Sequence, residues 1–100
     1  MTNAPSLHQL ADDIRLLLDR VFSSGLYALD LEVVVEARQL QARCEQYGLQ
    51  YASDILSRFA EQVEIKRHEF SDPFPELCET VILLGLYLKE LQHRIFFSDR

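Results

Sequence analysis

The sequence predicts an all-α domain, a four-helix bundle, and three observations carry that prediction. Apolar residues recur at alternating steps of three and four through most of the chain, which is the spacing of one helix face. Helix breakers are scarce, with three glycines and three prolines in 100 residues, and Gly25, Gly48, Pro73 and Pro75 fall between the apolar stripes. The connections are short, which makes consecutive helices antiparallel neighbours. One hundred residues is one domain. A chain of that length buries roughly 65% of its unfolded surface, enough for a core without metal or disulfide.

Residues 1–5 are expected to fray. In "SLHQ", Ser6 and Gln9 have the spacing of a capping box, which starts the first helix at Ser6. Leu7, Leu10, Ile14, Leu17 and Val21 form its apolar face, widened by Ala11, Leu18 and Phe22. Asp12 and Asp13 lie in its first half, on the side the helix dipole favours for acids. Gly25 supplies a left-handed stop, so the helix spans about 6–24.

Asp30 is the next N-cap, with Leu29 and Val34 placed to form a hydrophobic staple. The second helix, about 30–47, carries Val33, Ala37, Leu40, Cys44 and Tyr47 on one face. Its "EVVVE" run has a local strand preference, which the helical spacing outweighs over four turns. Gly48 ends the helix, and Leu49 can fold back on Cys44 in a Schellman-type closure. The third helix, about 50–68, follows at once with Leu49, Ala52, Leu56, Phe59 and Val63, flanked by Ile55 and Ala60; Ser53 is an alternative N-cap. A turn this short makes 30–68 an antiparallel αα-hairpin. Lys66, Arg67 and His68 suit the C-terminal end of the dipole.

The linker "EFSDPFPE" holds two prolines, and Pro75 is well placed as the first residue of a fourth helix, about 75–97. Leu77, Val81, Leu84, Leu88, Leu91 and Ile95 make its main stripe. Ile82, Leu83, Leu86 and Tyr87 then spread apolar surface beyond one face, through the uncharged run "VILLGLYL". Two arrangements account for this surplus. Either the other three helices wrap this one as a central helix, or its outer side meets another chain. On the second reading Leu83, Leu86 and Tyr87 are the interface residues, joined by Phe96 and Phe97 unless these cap the core, and Gly85 allows close approach of another backbone, from a partner or from the same chain.

Charge narrows the function. The net charge is −6, with seven acids and four bases in residues 1–50 and nine acids and six bases in 51–100. No Lys/Arg block exists, so direct nucleic-acid binding is not expected. The opening residues lack a basic, apolar leader pattern, and no run reaches the ~20 apolar residues needed to span a bilayer. The expected location is the cytoplasm, with no membrane partner. Cys44 and Cys78 lack metal or redox spacing and read as free thiols, with an interhelical bridge as the alternative.

Catalytic and cofactor signatures are missing too. Glu90 and His93 have the Glu-x-x-His spacing of di-iron bundles, but it occurs once where such a site needs two. Glu64 and His68 stand at i, i+4, more often a solvated pair than a ligand set. None of His8, His68 and His93 is followed by the Lys and Gly, three and four residues on, of a histidine-phosphotransfer bundle. No glycine-rich phosphate loop exists. The expectation is a non-enzymatic protein-interaction module without cofactor or metal, binding another protein or a second copy, most simply as a homodimer. The alternatives are an acidic nucleic-acid mimic, with Asp12, Asp13, Glu32, Glu36, Glu61 and Glu64 as its docking surface, and, third, a helical metal-binding protein.

Overall fold

The computed structural model describes residues 4–25, 29–68 and 74–98, with side chains for 7–25, 29–65 and 75–95. Four helices follow one another: α1 (Ala4–Ser24), α2 (Leu31–Gln46), α3 (Gln50–His68) and α4 (Phe74–Ser98). Among the described residues α1 packs on α2, α2 on α3, α3 on α4 and α4 on α1, while the backbones of the diagonal pairs stay apart and meet only through the shared core. This is a square four-helix bundle, drawn out to 49 × 21 × 20 Å. The central-helix arrangement is therefore excluded: α4 occupies a corner and shows its outer side to solvent.

The ends of the helices follow local chemistry. α1 begins at Ala4, two residues before the expected cap, so Ser6 lies inside the first turn. Proline at the start of a helix loses no hydrogen bond and has φ already set, so Pro5 carries the helix through the supposed boundary. At its far end Gly25 has φ 87°, and its N–H donates to the Val21 carbonyl at 2.8 Å, closing the last turn. Asp30 caps α2 as expected, its carboxylate accepting from the Val33 N–H at 3.2 Å. Leu29 and Val34, the expected staple, are both buried in the core.

The turn between α2 and α3 is a Schellman closure. Gly48 takes φ 74°, its N–H donates to the Glu45 carbonyl at 3.1 Å, and the Leu49 N–H donates to the Cys44 carbonyl at 2.9 Å. The Leu49 carbonyl then accepts the first bond of α3, from the Ser53 N–H at 3.0 Å. One residue thus ends one helix and opens the next, so Ser53 is no cap; its buried hydroxyl donates to Glu45 across the turn at 3.1 Å.

Every residue of the main stripes of α2, α3 and α4 is buried, apart from Tyr47 and Leu49, which pack half-buried at the hairpin end. Phe22 departs from expectation: it is 69% exposed, because a one-residue step from Val21 in the last turn of α1 swings it off the core face. The linker 69–73 and the side chains of Lys66, Arg67, His68, Phe96 and Phe97 lie outside the described residues.

Two glycines give opposite expectations. Gly48→Ala forces a Cβ into a left-handed position and destabilises the fold by about 1 kcal/mol. Gly85 sits mid-helix, and a Cβ added there would meet nothing within 4 Å, so Gly85→Ala stabilises the dilute chain by about 0.5–1 kcal/mol. Urea midpoints of the two variants should move in opposite directions.

Candidate interaction surface on α4

α4 has 25 residues and two chemically distinct sides. Leu77, Thr80, Val81, Leu84, Leu88, Leu91 and Ile95 face the bundle and are buried. Thr80 satisfies its hydroxyl by donating to the Glu76 carbonyl one turn back, at 3.0 Å. On the opposite side Ile82 and Leu86, one turn apart, are 57% and 59% exposed. Glu79 precedes them and Lys89 follows, both exposed and outside the ion pairs of the described residues. A Cβ at Gly85 would meet only open space, so no neighbouring helix backbone exploits this glycine.

The structure distributes the expected interface residues unevenly. Leu86 stands on the open face. Leu83 is half-buried at its edge, packed against the core. Tyr87 turns toward α3, where its ring meets Tyr51 at 5.8 Å between centroids, tilted by 56°. Burial raises the Tyr87 phenol pKa above its ordinary value. Phe96 and Phe97 belong to α4, but their side chains lie outside the described residues. Ile82 is absent from the interface residues that the sequence singles out, although it belongs to the surplus apolar surface. Its i, i+4 spacing to Leu86 is the signal that joins the two.

The remaining candidates are occupied by structural work. Arg20 of α1 reaches Glu36 at 2.7 Å and Glu32 at 3.0 Å on α2, Arg43 returns to Asp13 at 2.7 Å, and Arg38 reaches Glu64 of α3 at 3.4 Å. Four of the six acids of the alternative docking surface therefore face arginines. Glu90 pairs with Arg94 at 3.2 Å. Among the described residues no three His, Cys, Asp or Glu side chains gather as a metal site would require. A groove of about 600 Å³ runs between α1 and α2, lined by Leu16, Leu40 and Ala42 among Asp13, Glu36 and Arg43. Its charges are already paired, which leaves no group poised for chemistry there.

Cys44 and Cys78 are free. The bridge between them is excluded by distance: Cys44 is on α2 and Cys78 on α4, the diagonal pair, whose α-carbons nowhere come within 8 Å, farther apart than a disulfide spans. Burial pushes the Cys44 thiol up from 9.0 to about 11, although Arg43 pulls it down. No described helix is long and apolar enough to cross a membrane. Comparison with protein families, with curated proteins and with solved structures finds no match to this chain.

The Cys44 shift fixes a pH dependence. The fold favours the protonated thiol, so its contribution is complete below pH 9.0 and is lost as pH rises toward about 11. Stability should fall over that window by on the order of 2 kcal/mol. Denaturation across pH 8–11 checks this, and Cys44→Ala should flatten the decline.

Proposed function

We propose that this chain is a small protein-interaction module that associates through the outer face of α4. The observation that supports this reading is the pair Ile82 and Leu86, at 57% and 59% exposure, on a helix whose other side is seated in the core. Single exposed apolar residues are ordinary on a protein surface, but an adjacent pair bordered by charges is the pattern of a contact site. The module suits an adaptor, a regulatory subunit, a chaperone or an immunity-type inhibitor. Two free thiols fit a reducing compartment such as the cytoplasm. The partner is another protein or a second copy of this chain.

An acidic nucleic-acid mimic would need its carboxylates available to a basic groove, and Asp13, Glu32, Glu36 and Glu64 are held by arginines instead. The two readings differ in salt response. An apolar contact persists as salt rises, whereas a charge-driven one collapses once the Debye length falls to a few Å, about 3 Å at 1 M.

Leu86→Asp tests the proposal beside Leu84→Asp. Leu86→Asp should retain native helicity and abolish association, measured by sedimentation of the purified chain and by affinity capture from lysate. Leu84→Asp places a charge in the core and should unfold the bundle. Association that survives Leu86→Asp, or that vanishes at high salt in the native chain, overturns the reading.

A further inference from the structure

The outer face of α4 carries more than two apolar residues. Pro75, Glu79, Ile82, Leu86, Lys89 and His93 follow one another at steps of 4, 3, 4, 3 and 4. That is heptad spacing along the side away from the core, with Ile82 and Leu86 as its apolar centre, and all six residues are exposed. A helix normally shows one apolar stripe to its own bundle; this one shows a second seam with charges set symmetrically about a central apolar pair.

We infer that the occupant of this face is a second copy of the chain, with α4 paired antiparallel to α4 across a two-fold axis. The inference rests on the reading of this face as an interface. The charge order selects both the occupant and the direction. In the antiparallel register centred near Leu84, Ile82 faces the partner's Leu86 and Leu86 faces the partner's Ile82. One layer further out, Glu79 faces the partner's Lys89 and Lys89 faces the partner's Glu79. The outermost layers set Pro75 against the partner's His93. A parallel two-fold pairing would instead stack Glu79 on Glu79 and Lys89 on Lys89, which repel. The seam is complementary to itself in one direction only.

The flanks agree with this register. Leu83 meets the partner's Leu83 on the α3 side, adding two half-buried apolar side chains to the contact. Gly85 meets the partner's Gly85 on the other side, where the space around its Cβ position is empty. Glu76 comes opposite the partner's Glu90, whose charge is offset by its pair with Arg94. Six layers at ~1.5 Å per residue span roughly 27 Å of helix, a contact at the small end for stable association. The dimer is therefore weak, with a dissociation constant on the order of 10–100 μM.

Sedimentation equilibrium of the full chain up to ~1 mM tests this directly, well above the expected dissociation constant. Glu79→Lys alone and Lys89→Glu alone each put like charges into two layers and should weaken the dimer about tenfold. The double variant Glu79→Lys with Lys89→Glu restores both layers and should return to within about threefold of the native constant. Helicity serves as the folding control for all three. A monomer throughout the concentration range overturns the inference, as does a dimer indifferent to the single charge changes or not rescued by the double. If the native chain stays monomeric yet Leu86-dependent capture of a different protein is found, the interaction reading stands and the second-copy inference alone falls. If neither occurs, both fall.

Discussion

The fold depends on the reversal at Gly48. One glycine at φ 74° and two backbone bonds bring the chain from α2 directly into α3, with no spacer between them. A turn this tight leaves the two helices antiparallel and in close register, as Arg38–Glu64 and Ser53–Glu45 record along their length. Cys44, Tyr47 and Leu49 are consequently gathered at the hairpin end. With two helices fixed as a pair, α1 and α4 have one apolar trough to fill from either side. The square order follows, and with it the corner position that leaves one side of α4 uncovered.

Attachment to that pair differs between the outer helices. The interhelical ion pairs of the described residues all involve α2, with Arg20 and Asp13 of α1 on one side and Glu64 of α3 on the other. Partly exposed pairs of this kind contribute little stability, about 0–1 kcal/mol each, but they penalise wrong alignments. α4 is seated by apolar burial and by the Tyr51–Tyr87 contact instead, and its Glu90–Arg94 ion pair is internal to the helix. Its outward charges Glu79 and Lys89 are thereby left uncommitted within the bundle.

The stripes and the turns were readable because each rests on local chemistry. Gly25, Asp30 and Gly48 each act through bonds within a few residues, and the four apolar stripes report burial directly. Ser6 misled because a good capping pattern does not forbid the helix from starting earlier when Pro5 can occupy the first turn. Tyr87 shows the other limit. Its apolar ring marks it as buried or buriable, but whether it faces α3 or solvent depends on which corner α4 takes, and that depends on the packing of all four helices. Ile82 and Leu86 could be separated from Leu83 and Tyr87 only once that corner was known.

The surplus of apolar residues in "VILLGLYL" thus resolves into two periodicities on one helix. Val81, Leu84 and Leu88 satisfy the bundle, and Ile82 and Leu86 belong to a second line displaced around the axis. A chain selected only for its own stability gains little from that second line, since exposed Ile and Leu stabilise nothing and invite association. Gly85 costs helix stability, about 1 kcal/mol relative to alanine, without relieving any contact inside the bundle. Two exposed apolar residues and an unneeded glycine within five positions, bordered by one acid and one base, are costly to folding and useful to docking. The docking role proposed for α4 rests on that balance; in the α1–α2 groove, by contrast, the lining charges Asp13, Glu36 and Arg43 already have structural partners.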